Sequence, residues 1–414
     1  MNRKISKLIM SLMVVLFAWT TITAQEPNKM YVMSKGVVVY ESVATEVDSV
    51  IFYKPSPAFD PKITSTCYVD RAAGFTGAFW QTAIVNDKVE LTGANVSGTY
   101  TSVEFSTVQF TTLVGSWSVS HVNTGGSTVE LEFRVKNTAG TWSSWLSYRQ
   151  WGFKRGTNTA CNVTDVGGNA SVDTNGGVAS ISYDEISGGA YNAFQYRVTL
   201  RRVSGSTASP RIKAIAATLL RSSGDVFTVP SAAKTWPITG SNILRQQDVP
   251  TIGGSICSPT CVTMLMAHKG VTDFGGCTYK HEYTARKIVY DGRIYGNWTF
   301  CCSAMGSWGT TDYIAYARHI YSANEIAQIL TKGPIAASIQ GNAAAGGALK
   351  DINGTTQYSG SGHLIVVRGF EISGGAVSNF LISDPNTAEG TQDYKVTAAT
   401  LLRCLVSKVV YVLE

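Results

Sequence analysis

Cys257 opens the stretch Cys257-Ser258-Pro259-Thr260-Cys261-Val262-Thr263-Met264-Leu265-Met266-Ala267-His268-Lys269-Gly270. Pro259 suits the first turn of a helix, where its missing N–H is no loss, and Gly270 suits the stop. A helix over 258–268 therefore puts the Cys257 sulfur at a helix N-terminus. There the helix dipole and the free backbone N–H groups stabilise a thiolate, and the same N–H groups can donate to a developing oxyanion. An inert cysteine beginning a core helix has the same local signature, so nucleophilic chemistry also needs a base.

The chain has five histidines: His121, His268, His281, His319 and His363. His121 lies in a β-rich region upstream. His268 is eleven residues along the same helix, about 16 Å from Cys257 at ~1.5 Å per residue. His281 and His319 sit in polar, irregular stretches and read as surface residues. His363 instead opens an apolar strand, Gly362-His363-Leu364-Ile365-Val366-Val367-Arg368-Gly369-Phe370. A second strand, Asn379-Phe380-Leu381-Ile382-Ser383-Asp384-Pro385, follows a turn around Gly374-Gly375. His363 lies about as far before that turn as Asp384 lies after it, so an antiparallel hairpin makes them near neighbours across the ladder. A carboxylate so placed holds an imidazole in one tautomer and orientation. A rim His–Asp pair that only fastens the hairpin is the structural alternative; the candidate thiol elsewhere favours catalysis.

The elements that must position these residues follow from the pattern. Residues 226–414 show helical stretches at 258–268 and 323–331, then strands at 334–340, 363–370, 378–384 and 406–413, an α+β arrangement. Residues 58–225 read differently. Short runs rich in Val, Ile, Thr, Tyr and Phe recur between Gly/Ser/Asn turns, as in Thr128–Val135 and Phe194–Arg201, where apolar and polar residues alternate. That pattern predicts an all-β antiparallel sandwich, with a linker at Ser222-Ser223-Gly224-Asp225. Residues 25–57 form a short β lead-in, with strands expected at Val37–Tyr40 and Val50–Tyr53.

With these motifs in place, residues 240–414 resemble the exported papain-fold relatives of the bacteriocin-processing (double-glycine leader) peptidases. The resemblance rests on four motifs in family order: Cys257-Ser258-Pro259-Thr260, Gly296-Asn297-Trp298, Gly362-His363-Leu364-Ile365-Val366-Val367 and Asp384-Pro385. It implies a papain-like cysteine peptidase fold in which Cys257 attacks the scissile carbonyl. His363 then acts as base and later acid, and Asp384 orients it. It further implies a glutamine in the oxyanion hole, for which Gln246 and Gln247 are adjacent candidates; strand alternation admits only one, with a lean to Gln247. Asn297 and Trp298 become candidate substrate-binding residues. The chain departs from the relatives at Cys261, where Ser or Thr is usual, and at Thr299-Phe300-Cys301-Cys302. A Cys257–Cys261 pair would silence the enzyme under oxidation; a core cysteine is the simpler reading. The sandwich loosely resembles the module that precedes such peptidases, around Thr141-Trp142-Ser143-Ser144-Trp145 and Ser171-Val172-Asp173-Thr174-Asn175. Exposed aromatics there would be candidates for glycan contact.

Composition narrows the alternatives. In 414 residues only 15% are charged, 40 are glycine, and the formal net charge is +6. Three of the positive residues, Arg3, Lys4 and Lys7, precede an apolar run from Leu8 to Trp19 and small residues up to Ala24. Residues 1–24 thus read as a secretory signal, too short to cross ~30 Å of hydrocarbon. No basic run follows, so nucleic acid is not an expected partner, and no membrane span is expected once the signal is removed. The expected location is secreted, periplasmic or cell-surface. Eight cysteines are present, and spacing cannot assign bridges. The Cys257/Cys261 spacing matches half a zinc site, but no second pair exists to complete it, so neither metal nor cofactor is expected. The expected substrate is a peptide or protein, with a cell-wall peptide crosslink among the options. Two other readings stay open: a catalytically silent surface or glycan-binding protein on the same scaffold, and an acyl transferase using the same triad.

Overall fold

Thr128–Asn137 and Tyr191–Arg201 alternate apolar with charged residues, and they pair antiparallel along their lengths. The apolar faces enter the core through Val129, Leu131, Phe133, Phe194, Tyr196 and Val198. The other face carries charge: Glu132 pairs with Arg197, Glu130 with Arg201 at 2.8 Å, and Arg134 donates to Gln195 at 2.8 Å. Trp142 and Trp145 lie on this face, half-buried. Arg134 stacks on both rings, Lys136 on Trp142 and Arg197 on Trp145, at 4.6–4.8 Å. These ring faces are therefore covered by the protein's own cations.

The computed structural model describes residues 29–34, 37–43, 60–121, 126–158, 163–168, 174–288, 295, 297–340, 362–387 and 392–414. The 1–24 signal, the Val50–Tyr53 strand, Cys161, Gly296 and Ser171–Asp173 lie outside the described residues. Val37–Val43 pairs with Lys29–Ser34 in one unit, Met1–Ser56. Pro57–Glu414 is the second unit. It holds a nine-stranded sheet and two seven-stranded sheets, with every pairing antiparallel. Five α-helices are present among the described residues: Cys257–His268, Lys280–Lys287, Trp298–Gly306, Ala323–Leu330 and Ala398–Cys404.

The nine-stranded and one seven-stranded sheet pack face to face around Trp117, Phe133, Tyr148, Trp151 and Tyr196. The remaining sheet runs in the order Ala315–His319, Leu405–Leu413, Ile335–Ile339, His363–Ser373, Ala376–Ser383, Asp393–Thr397, with Lys234–Thr235 also on His363–Ser373. Of these seven strands, Ala315–His319, Asp393–Thr397 and Lys234–Thr235 were not foreseen in the sequence. Neither were three of the helices.

The central strands of the nine-stranded sheet differ from the charged ladder. Every residue of Thr112–Ser120 is buried, as is nearly all of Arg211–Leu220. Their outer positions are small: Ser116, Ser118 and Ser120 on one strand, Ala214, Ala216 and Thr218 on the other. Small side chains let a second layer approach, and that layer is the region after 226. Ser118 Oγ accepts the Ala315 N–H at 3.1 Å, Thr218 Oγ1 accepts the His319 N–H at 2.8 Å, and Lys213 Nζ donates to the Thr311 and Tyr313 carbonyls at 2.7 and 2.6 Å. One hydrophobic cluster accordingly draws on both regions, from Trp117 and Trp151 to Phe300, Met264 and Tyr411.

The contact is sharpest along one edge of Thr112–Ser120. Of this strand Glu185–Ser187 reaches only Leu113 and Val114, so the edge beyond needs other partners. The helix Trp298–Gly306 supplies them. Thr299 Oγ1 donates to the Gly115 carbonyl at 2.7 Å, and Ser303 and Ser307 hydroxyls accept the Trp117 and Val119 N–H groups at 3.1 and 3.0 Å. Four helical residues rise about 6 Å and two strand residues about 6.7 Å, so the hydroxyls fall in step with alternate strand residues. Gly306 completes the approach: a Cβ there would lie 2.2 Å from Ser118 Oγ and 3.1 Å from its Cα. Gly306→Ala is therefore expected to cost about 1–3 kcal/mol in urea unfolding, with part of the loss recovered by adding Ser118→Gly.

Candidate active site

The helix beginning at Cys257 packs against the strand beginning at His363. His363 pairs in register with Ile339 and precedes a two-residue turn in which Gly374 and Gly375 have φ of 59° and 78°. Positive φ at both central residues suits a hairpin turn of the I′ kind, which only glycine or a few polar residues adopt easily. Two bulges interrupt the hairpin, but Val366 still lies opposite Ser383 and Ser373 opposite Ala376, so their shifts cancel. Extending that register sets Asp384 across from Ile365, two residues from His363 on the same face. His363 Nε2 meets Asp384 Oδ1 at 2.8 Å, with both side chains almost fully buried. Its other ring nitrogen is left for the Cys257 thiol, which hydrogen-bonds the imidazole.

Asp384 is itself held. Tyr394 donates its hydroxyl to Oδ2 at 2.8 Å and the Asn386 N–H donates to Oδ1 at 2.9 Å. Its own N–H goes to the Gln392 carbonyl at 2.9 Å. Tyr394 lies on Asp393–Thr397, which pairs with Ala376–Ser383. The alternation in Asp393-Tyr394-Lys395-Val396-Thr397 is the sequence signal that could have revealed this strand and its tyrosine.

The two glutamines separate. Gln246 is buried, donates Nε2 to the Gly253 carbonyl at 2.8 Å and leaves Oε1 without a hydrogen-bond partner. Gln247 is exposed and donates Nε2 to Asn386 Oδ1 at 2.6 Å, one residue link from Asp384. Asn297 is buried at the N-cap of Trp298–Gly306, where its Oδ1 accepts the Phe300 N–H at 2.9 Å. Trp298 is half-buried, and its indole N–H donates to Ser338 Oγ at 3.2 Å. Ser338 pairs with Leu364, the residue after His363.

The surface reading of two histidines is corrected. His281 is 2% exposed and His319 is fully buried. Lys280–Lys287 packs Ala285 onto Val249 and Ile256, enclosing His281, and Ala315–His319 lies against the nine-stranded sheet. Cys257 and Cys261 are both free thiols, Cys261 in the core; Cys277 is disulfide-bonded.

Comparison with known proteins agrees with this layout. Residues 239–405 match the Peptidase_C39 like family, and residues 77–219 match the Peptidase C39 N-terminal domain. The chain belongs to the C39 cysteine peptidase-like proteins, with their N-terminal domain. No curated protein matches it. Among solved structures it is similar to a Podospora anserina GH26-CBM35 β-(1,4)-mannanase (11% identity, 43% of this chain and 33% of that one, TM-score 0.20). It is also similar to infectious bursal disease virus Gt strain (10% identity, 50% and 48%, TM-score 0.20). At these scores neither likeness carries an argument, and the chain spans about a third and about half of their lengths.

In this C39-like protein the electrostatics favour a charged thiol–imidazole pair. Burial alone would raise the Cys257 thiol. The His363 hydrogen bond and charge, with N–H groups of Leu364 and Ser258, more than offset it and hold the thiol below its ordinary value. Burial would likewise lower His363, but the Asp384 charge and hydrogen bond outweigh it and the imidazole is raised. Cys261, by contrast, is pushed far up, first by burial and then by the neighbouring Cys257 charge. It is no competing nucleophile. Because a lowered thiol keeps its charge as pH falls, and a raised imidazole loses its charge only on the alkaline side, the pair should persist through neutral pH. A free thiol loses roughly a hundredfold of its thiolate between pH 8 and 6. Alkylation of Cys257 by iodoacetamide is expected to fall less than about fivefold over that range. Asp384→Asn should restore the steep free-thiol dependence.

Proposed function

We propose that the protein is an exported, papain-like cysteine peptidase that hydrolyses peptide bonds through a thioester on Cys257. The observation that carries this reading is the line from the half-buried Cys257 thiol through the buried His363 to Asp384. The Cys257 sulfur adds to the scissile carbonyl, and the His363 imidazolium gives its proton to the leaving amine. Neutral His363 then takes a proton from water as it attacks the thioester, and the carboxylic product leaves with Cys257 free again. Asp384 stabilises the imidazolium and fixes its tautomer, while Tyr394 and Asn386 keep the carboxylate in place.

The oxyanion that forms in each step needs preorganised donors. The Cys257 backbone N–H at the helix start is one. Gln247 is the side-chain donor in this reading, since it is exposed beside the triad and needs only to release Asn386. Gln246 is tied to Gly253 and serves the turn instead. Trp298, beside Ser338 and Leu364, is the residue assigned to the substrate groove. Asn297 acts through its cap.

Within the family, motif order groups the chain with exported relatives of the bacteriocin-processing peptidases. Export is supported by the residue pattern of 1–24 and by the disulfide at Cys277, a bond that persists in oxidising compartments. The substrate is a peptide or protein, with cell-wall peptides in the same class. Among the described residues no helix is long and apolar enough to cross a membrane.

A peptide-library digest by the mature chain should give a cleavage profile that vanishes in Cys257→Ala; identical profiles would sink the proposal. Gln247→Ala is expected to lower kcat by about 10²-fold, the effect of losing one oxyanion donor. Gln246→Ala should instead lower the unfolding midpoint.

A further inference from the structure

The helix that docks on the sandwich edge starts at the residue assigned to the substrate groove. Its first N–H groups need acceptors. Asn297 takes that of Phe300. The Trp298 N–H goes outside its own region, to Oδ2 of Asp184 at 2.7 Å. Asp184 immediately precedes Glu185–Ser187, the strand that pairs with Leu113 and Val114. It sits where the edge of Thr112–Ser120 passes from a strand partner to the helix. Its carbonyl accepts the Tyr148 hydroxyl at 3.0 Å, and Tyr148 Oη accepts the Gly115 N–H at 2.8 Å. Asp184 is thus fixed from the sandwich side and grips the helix start from there.

From Trp298 the link continues to the active site. The indole N–H donates to Ser338 Oγ, Ser338 faces Leu364 across the ladder, and the Leu364 N–H donates to the Cys257 thiol. We infer that Asp184, in the N-terminal domain, is a positioning residue of the peptidase site, holding Trp298 against Ser338 so that its ring forms a fixed wall of the substrate groove.

Asp184 is only 8% exposed. Burial, and next the neighbouring Glu185 charge, raise its carboxyl to about 7, with the Trp298 and Thr299 N–H groups pulling the other way. Keeping a carboxyl in so costly a place gains the helix an acceptor at its positive end. The inference rests on the peptidase reading for its kinetic consequence, but the grip itself can be measured without turnover.

The test uses the full mature chain and a peptide taken from the library digest. Asp184→Ala removes the acceptor and Ser338→Ala cuts the far end of the link. Each is expected to raise KM by about fivefold or more, with kcat changed by less than about threefold. The iodoacetamide rate at Cys257 should stay within about twofold in both. Backbone amide exchange at Trp298, followed by NMR, should speed up by roughly tenfold or more in Asp184→Ala. Asp184→Asn keeps an acceptor oxygen without the charge and should restore most of the KM and the protection. Should Asp184→Ala fail to fold, Ser338→Ala and Asp184→Asn still decide the matter. Wild-type KM in Ser338→Ala, or a Trp298 amide unaffected by Asp184→Ala, overturns the inference. So does a loss of KM, kcat and Cys257 reactivity in step that Asp184→Asn does not repair, since that marks general loosening. Absence of Cys257-dependent turnover in the wild type ends the peptidase reading and the positioning role with it, leaving the exchange experiment to report the contact alone.

Discussion

An imidazolium without solvent around it needs a carboxylate, and a carboxylate so buried needs donors of its own. The C-terminal half of this protein is organised around that requirement. His363 and Asp384 are 5% and 0% exposed at the side chain, so neither charge is tolerable alone. The hairpin brings them together, and the strand Asp393–Thr397 adds Tyr394 to the second carboxylate oxygen. The turn after Asp384 adds the Asn386 N–H. With the imidazole so charged, the thiol at the helix start is lowered despite its own burial. Cys261, one turn further along the same helix, lacks those partners and is raised instead. Two cysteines four residues apart thus differ in chemistry because only one touches the imidazole.

The same requirement reaches into the N-terminal region. The strands Ala315–His319 and Leu405–Leu413 of the C-terminal sheet meet Thr112–Ser120 through the helix Trp298–Gly306, which packs on all three. That helix is polar along the face that meets the sandwich edge, where Thr299, Ser303 and Ser307 bond Gly115, Trp117 and Val119. Its apolar side chains, Phe300 among them, join a cluster that also holds Trp117. A sheet edge and the helix Trp298–Gly306 thereby satisfy each other's backbone and core. The sandwich packs directly on the C39-like region, and the two form one compact unit.

Much of this was legible beforehand, and the reasons are local. Pro259 and Gly270 fix where the helix that begins at Cys257 starts and stops, since each acts within one turn. Alternation in Thr128–Val135 and Phe194–Arg201 shows one wet face and one dry face. The His363–Asp384 relation follows from counting about Gly374-Gly375, because a hairpin's register is set by its turn. The count succeeded even though two bulges intervene, because their shifts have opposite sign. Short segments were missed for the converse reason. Trp298–Gly306 reads Trp-Thr-Phe-Cys-Cys-Ser-Ala-Met-Gly; its polar stripe of Thr299 and Ser303, continued by Ser307, is uncharged because it faces a sheet edge and not water, so the usual charged outer face of a helix is missing. The histidines at 281 and 319 looked exposed because their flanks are polar, whereas burial was decided by what packs over them.

The sequence alone thus determined that Cys257 starts a helix, that His363 and Asp384 meet across a hairpin, and the two textures of the chain, all through interactions between residues near in sequence or paired across one turn. The small residues at the outer positions of Thr112–Ser120 and Arg211–Leu220 were visible too, but not what they admit. Which glutamine is exposed beside the triad, that Tyr394 braces Asp384, and that Asp184 grips Trp298 were decided by tertiary structure. Each joins segments whose relative placement depends on packing of the whole unit, and no local spacing encodes a distance between surfaces that meet only when the core closes.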